Sequence, residues 1–146
     1  MFIPELATEL ARRLIARQNT DGGWPAVKSG RSATEPTAWA FRALTALAPN
    51  VDAVVIGPAL AGATKWLLDR QKPTGAWPVS DLASDGGFGT TVAGLALAAT
   101  GEETLIERSV TGARWLLANP GKRVSWRTRM WLRWNPGQNP LEIDLR

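Results

Sequence analysis

Apolar residues recur at helical spacing in short segments, which are separated by loops rich in Gly and Pro. In the first segment Leu6, Leu10 and Leu14 are four residues apart, and Ala7 and Ala11 lie beside them on the same face. Similar segments follow along the chain, and each ends near a Gly, Pro or Asn residue. The pattern therefore predicts an all-α protein with helices at about 5–17, 36–48, 58–70, 89–100, 103–118 and 127–134.

These predicted helices are of two kinds, which alternate along the chain. The helices at 5–17, 58–70 and 103–118 are amphipathic, with charged residues on one face. The second helix of each pair, as in AFRALTALA and AGLALAA, is apolar or small nearly all round. Such a helix needs to be enclosed by other helices. The sequence therefore predicts helical hairpins in two layers, with an outer and an inner helix in each.

One segment of the chain occurs twice. RQNTDGGWP at 17–25 returns as RQKPTGAWP at 70–78. The identities in register at an offset of 53 residues include Gln18 with Gln71, Gly22 with Gly75, Trp24 with Trp77, and Pro25 with Pro78. Downstream, TAWAFRALTAL from Thr37 and TVAGLALAAT from Thr91 form a second similar pair, at an offset of 54. A period of this length indicates repeated hairpins.

A third, degraded copy follows at an offset of 49 residues. Trp115 corresponds to Trp66 and Trp126 to Trp77, but Asn119 or Pro120 stands where the glutamine is expected. We therefore predict a single domain, 1–146, of about three hairpins at 5–50, 57–101 and 102–135, with a short tail at 136–146. One hairpin cannot cover its own apolar stripe, so neighbouring hairpins must pack together.

The spacing Gln-x-x-x-Gly-x-Trp, at a period near 50 and between an outer and an inner helix, resembles the QW repeats of squalene-hopene and oxidosqualene cyclases. These belong to the α/α-toroid superfamily, which includes the protein prenyltransferase β-subunits. The resemblance covers about residues 5–134. It implies that the motif is structural, with Gln bonding backbone groups at helix ends and Trp packing against it; a ligand-binding role is the alternative. The motif residues are Gln18, Gly22, Trp24, Gln71, Gly75, Trp77 and, in the third copy, Trp126 alone.

The catalytic features of these families are missing from the chain. It has no Asp-x-Asp-Asp motif, and with neither His nor Cys it cannot form the zinc site of the prenyltransferases. Carboxylates, hydroxyls, Lys and Arg remain for chemistry, and the weak catalytic candidates are Glu35, Asp81 and Asp85. The stretch SDGGFGTT at 84–91 forms either an anion- or substrate-facing turn or an ordinary N-capped turn, and the N-capped turn is favoured because Asp, Ser, Thr and Gly are the usual residues there. No cofactor or metal is predicted, and the balance is against an enzyme.

Three hairpins are too few for the resemblance to imply a closed ring, since toroids of these families have five to seven. The chain is therefore expected to be an incomplete (half) α/α toroid. It either stays an open arc or pairs with a copy of itself or another chain. An open arc would leave the apolar inner helices partly exposed to solvent. An exposed apolar patch of this kind usually marks an interaction surface.

The basic segment KRVSWRTRMWLRW at 122–134 allows three interpretations within a chain of net charge +4. It is a packed helix with a solvated basic side, a docking surface for a protein, or a membrane or nucleic-acid contact. Nucleic acid is not expected, because no nucleic-acid-binding fold signature accompanies the segment. The candidate partner-binding residues are Trp39, Phe41, Arg127, Arg129, Trp131, Arg133 and Trp134.

We therefore predict a non-catalytic α/α-repeat module that binds another protein or a second copy of itself. The alternative is a small cyclase- or prenyltransferase-like subunit that holds an isoprenoid on its apolar inner face. The opening MFIPELATELARRL lacks the pattern of a secretory signal, and the apolar runs are too short to span a bilayer. A cytoplasmic location is expected.

Overall fold

The computed structural model describes residues 3–79, 86–120, 130, 133 and 134. The described part is all-helical, with five α-helices and no strand, and so confirms the predicted all-α class. The α-helices are α1 (Ile3–Ile15), α2 (Thr34–Leu47), α3 (Ala53–Arg70), α4 (Gly87–Ala98) and α5 (Glu103–Ala118). A 3-10 turn, Ala48–Asn50, follows α2. None of the helices in the described part has both the length and the hydrophobicity that a membrane span requires.

Most of the helices lie close to their predicted positions. α5 has the predicted bounds, whereas α1, α2 and α4 each begin two residues earlier than expected. Of the inner helix predicted at 127–134, the structure describes Met130, Arg133 and Trp134, which are helical. The rest of that prediction lies outside the described residues.

The prediction for the start of α3 was wrong by five residues, because the helix begins at Ala53 and not at Pro58. The side chain of Asp52 caps it by accepting a hydrogen bond from Val54 N at 2.8 Å. Pro58 therefore lies inside the helix, where it cannot donate to the Val54 carbonyl. Val54 is 82% exposed, so water can satisfy that carbonyl.

Gly57 offers a test of this early start. A Cβ built on Gly57 meets nothing within 4 Å, so Gly57→Ala should stabilise the protein by about 1 kcal/mol through helix propensity alone. Chemical denaturation would measure the gain. In the same helix, Gly62→Ala should gain less or destabilise, because its Cβ would lie 3.2 Å from Gln18 Nε2. An unchanged stability in Gly57→Ala would mean that the helix begins after residue 57.

The core forms where α2 packs against α1, α3 and α4, and where α4 packs against α5. Its largest fully buried side chains are Trp77, which belongs to a loop, one leucine from each of α2, α3 and α4, and three threonines of α2 and α4. Trp24 occupies the corresponding loop of the first hairpin and is 4% exposed. Two loops therefore place their tryptophans inside the helical core.

Candidate functional site

The first Gln-x-x-x-Gly-x-Trp motif joins the end of α1 to α3. Gln18 Nε2 donates to the carbonyls of Gly22, at 2.8 Å, and of Ala59 in α3, at 2.9 Å. The indole Nε1 of Trp24 donates to the Leu14 carbonyl in the last turn of α1, at 2.8 Å. The Leu14 carbonyl also accepts from a backbone N–H at 3.0 Å, so the indole is a second donor to the last turn of α1. The motif therefore fastens the end of one helix to another.

The second copy makes the same set of bonds. Gln71 Nε2 donates to Gly75 O at 3.1 Å and to Arg108 O, in α5, at 2.9 Å. Trp77 Nε1 donates to Leu67 O at 2.7 Å. The two Gln–Gly bonds and the two Trp–Leu bonds are each related by an offset of 53 residues. The motif thus joins α1 to α3 and, in its second copy, the end of α3 to α5.

Each motif tryptophan also bonds one buried threonine. These two threonines correct the register in which the sequence analysis aligned α2 with α4. The backbone N–H of Trp24 donates to Thr37 Oγ1 at 2.8 Å, and that of Trp77 donates to Thr90 Oγ1 at 3.0 Å. The counterpart of Thr37 is therefore Thr90, at an offset of 53, and the predicted pairing with Thr91 at 54 was wrong. Thr91 is exposed and bonds within its own helix.

The motif glycines allow backbones of successive helical units to approach closely. Gly22 and Gly75 have φ values of +89° and +95°, a region that L side chains rarely adopt. A Cβ on Gly22 would lie 2.5 Å from Gly62 O, and one on Gly75 would lie 2.6 Å from Thr111 O. Both the conformation and the space therefore require glycine.

Asp21 belongs to a polar cluster that the sequence analysis did not predict. One carboxylate oxygen accepts from Ser32 Oγ at 2.7 Å and from Gly23 N at 3.0 Å. The other accepts from Trp66 Nε1 at 3.0 Å. Asn19 Nδ2 also donates to Ser32 Oγ, at 2.9 Å. The cluster fastens the loop between α1 and α2 to α3.

The charge of Asp21 is stabilised by these neighbours. Burial raises the pKa of the carboxyl, but the hydrogen bonds from Ser32, Gly23 and Trp66 lower it, as does the positive charge of Arg70. The net result is a pKa below the ordinary value for aspartate. The Arg70 guanidinium stacks on the Trp66 ring, 4.8 Å from its centroid.

We expect Asp21 to make stability depend on pH. Because its pKa is lower in the folded chain than in the unfolded one, its contribution is complete above the ordinary carboxylate range, about pH 4. The contribution is lost as the pH falls through the folded-state pKa. Asp21→Asn should lower the free energy of unfolding by about 1 kcal/mol at neutral pH. This value is small for a hydrogen-bonded charged group, because Asp21 is exposed to solvent.

Denaturation of parent and variant across acidic pH would measure this effect. The difference between them should shrink as the pH falls below about 4. Asp52→Asn is the matched control, because asparagine caps a helix as well as aspartate does. If the stability of the Asp21→Asn protein had the same value and pH dependence as that of the parent, the assigned role of Asp21 would be wrong.

A groove of about 940 Å³ opens beside α2, and its lining includes no residue of α4. The end of α1 and the loop at 24–29 form its other walls. We call it the edge groove, and define it by Leu14, Arg17, Trp24, Lys28, Pro36, Trp39, Ala40 and Ala43. A second hollow of about 440 Å³ continues along α1 and shares three of these residues. The lining combines apolar side chains with the polar side chains of Gln18, Asn19 and Ser29, and Arg17 and Lys28 are exposed cations.

The α2 side of this groove corresponds to a surface that α4 buries. Trp39 is 48% exposed, whereas Val92, 53 residues later, is 5% exposed. Ala43 is partly exposed, and its counterpart Ala96 is 1% exposed. In α4 both positions are buried, and α4 packs against both α2 and α5. In the described part of the chain, this side of α2 is therefore open to solvent.

The exposed sides of α2 and α4, the two helices predicted to be inner, are less uniformly apolar than the sequence suggested. On α4 it carries Phe88 and Leu95, which are 56% and 51% exposed. The corresponding positions on α2 are occupied by Glu35 and Arg42. The apolar character predicted for the inner face therefore applies to α4 and not to α2.

The structure separates the predicted site residues. Trp39 lies in the edge groove, whereas Phe41 is 2% exposed, so its ring is out of reach of a partner. Glu35 is partly buried in the first turn of α2, and Arg133 and Trp134 are exposed. Within the described ranges, no group of three acidic side chains could hold a metal ion. The remaining candidates, Asp81, Asp85, Trp126, Arg127, Arg129 and Trp131, lie outside the described residues.

No family model matches the chain, and no curated protein matches it either. Its function is therefore inferred from its own contacts, above all from the two copies of the motif and the open edge groove.

Proposed function

We propose that the chain is a non-catalytic α/α-repeat module that acts by binding protein. In this proposal α1, α3 and α5 are the outer helices of three hairpins, and α2, α4 and the predicted helix at 127–134 are the inner ones. The arrangement would be an incomplete α/α toroid, similar to the QW-repeat folds of terpene cyclases. Bonds that recur 53 residues apart support this assignment.

The observation that carries the proposal is the open edge of the first hairpin. Leu10 of α1 is 44% exposed, while Ala63, 53 residues later in α3, is fully buried. Trp39 and Val92 differ in the same direction on the inner helices. Both helices of the first hairpin thus expose positions that the second hairpin buries. Contiguous apolar surface of this kind usually marks a binding interface.

The polar groups of the first motif are already used by the fold. Gln18 donates to two carbonyls, and the Asp21 carboxylate accepts from Ser32, Gly23 and Trp66. The backbone at Gly22 approaches another backbone too closely to leave room for a ligand. The motif is therefore assigned to bracing, and binding is assigned to the edge groove.

Native mass spectrometry and retention of partners on the immobilised protein would test this proposal. The parent should form a dimer or retain a specific protein, and Trp39→Glu should lose that complex while keeping its helical circular dichroism. Val54→Lys, at a position 82% exposed on α3, is the control and should behave as the parent does. A parent that remains monomeric and retains nothing sensitive to Trp39→Glu would contradict the proposal.

An isoprenoid ligand is the second candidate, and the size of the edge groove favours it. About 940 Å³ falls within the range of small-molecule sites, and Arg17 and Lys28 could face an anionic head group. Farnesyl diphosphate, titrated with and without Mg²⁺, should then change tryptophan fluorescence saturably, and Trp39→Glu should abolish the change. Absence of saturable binding would remove this candidate.

A further inference from the structure

We infer that the edge groove binds helix α5 of a second copy of the chain, in a head-to-tail association. This inference rests on the proposed protein-binding function and identifies its partner. It pairs two exposed apolar surfaces that lie in different hairpins. One is the edge groove. The other is the α5 stripe, which we define as Ile106, Val110, Ala113 and Leu117.

The α5 stripe is an apolar face of helix α5 that is exposed to solvent. Its members are spaced by four, three and four residues, so they share one side of the helix. Ile106, Val110 and Leu117 are 38%, 42% and 83% exposed. A different side of α5 carries Leu105 and Gly112, which are buried.

The two surfaces carry opposite charges. Glu103 and Glu107 are exposed beside the first half of the α5 stripe, whereas Arg17 and Lys28 are exposed at the edge groove. Arg114 lies beside the second half of the stripe. The acidic first half should therefore face the basic side of the groove. Such complementarity favours one pairing of surfaces over others.

The same charges disfavour the symmetric alternative. Two edge grooves placed face to face would bring Arg17 and Lys28 of both copies together, which is unfavourable for desolvated like charges. Within one chain, α5 packs against α4, whereas the groove is built from α1 and α2. One chain therefore presents the groove and another the stripe, and the contact closes into a ring or continues as a chain.

Mixing two variants tests this geometry. Trp39→Glu damages the groove and Val110→Lys damages the stripe, so each protein alone should dissociate with a constant raised at least about tenfold. A mixture should recover association, because the intact stripe of the first variant meets the intact groove of the second. Sedimentation velocity over a dilution series measures both effects, and Val54→Lys should leave the parent's constant unchanged.

The other outcomes separate this inference from the proposed function. If the parent self-associates but Val110→Lys does not weaken it, or if mixing restores nothing, the head-to-tail contact is wrong while self-association stands. If the parent is monomeric throughout, the inference is wrong. The proposed function then depends on whether a different protein is retained in a manner that Trp39→Glu abolishes.

Discussion

Trp77→Ala should lower the free energy of unfolding by about 3 to 5 kcal/mol, the range for removing a large buried aromatic side chain. The Trp77 residue is fully buried. Its indole N–H donates to Leu67 O at 2.7 Å, and its backbone N–H donates to Thr90 Oγ1 at 3.0 Å. The substitution would leave a cavity and leave the Leu67 carbonyl without this donor.

Chemical denaturation would measure this loss against a matched tryptophan. Trp39→Ala removes the same side chain from a position that is 48% exposed, so its cost should be clearly smaller than that of Trp77→Ala. If both substitutions cost the same, Trp77 would not be the structural anchor that its contacts indicate.

Gly22→Ala is the second substitution with a large expected effect, about 3 kcal/mol or more. The alanine would have to adopt a φ of +89°, and its Cβ would lie 2.5 Å from the Gly62 carbonyl oxygen. A backbone atom cannot rotate away as a side chain can. The link between the first loop and α3 would therefore have to open.

Gly101→Ala separates the two causes of this effect. Gly101 also has a positive φ, +75°, but a Cβ there meets nothing within 4 Å. It should therefore show the conformational cost alone, about 1 to 2 kcal/mol. Urea midpoints and slopes of both variants would give the difference. Equal costs for the two would mean that close approach to Gly62 does not constrain Gly22.

The sequence allowed the main bracing residues to be identified because they are repeated. Gln18 and Trp24 return 53 residues later, and repetition separated them from neighbours of similar chemistry. Helical periodicity likewise predicted an all-α fold with the correct bounds for α5. Positions that recur in register under a helical pattern are subject to the same packing constraint in each copy.

Contacts that occur in only one copy could not be predicted in this way. Asp21 is replaced by Thr74 in the second copy, so it was not counted among the bracing residues. Its partner Trp66 is 45 residues away in the sequence, and no local pattern relates a carboxylate to a distant indole. The hydrogen bond that Ser32 donates to Asp21 closes the loop between α1 and α2, and it likewise depends on the tertiary structure.

The start of α3 shows how a cap can outweigh local helix breakers. Gly57 and Pro58 interrupt the apolar run and are typical of a helix boundary, so the helix was predicted to begin there. The structure begins it at Ala53, where the Asp52 side chain supplies the cap. Pro58 is tolerated inside the helix because the carbonyl that it leaves without a donor lies at an exposed position.

Two further differences concern single residues of the inner helices. Tandem threonines left the register of the second copy ambiguous by one residue, and only the hydrogen bond from Trp77 identifies Thr90 as the counterpart of Thr37. Phe41 was a partner-binding candidate by residue type, although its side of α2 faces the core. In both cases the deciding partner comes from another part of the chain, so residue type and spacing could not identify it.

The central claim is that bracing and binding belong to different tryptophans, although Trp24 and Trp39 both line the edge groove. The most direct measurement compares melting temperature and self-association of Trp24→Ala and Trp39→Glu. We expect Trp24→Ala to lower the melting temperature strongly, whereas Trp39→Glu should melt close to the parent and lose association. A Trp24→Ala protein that melted like the parent but no longer associated would contradict it.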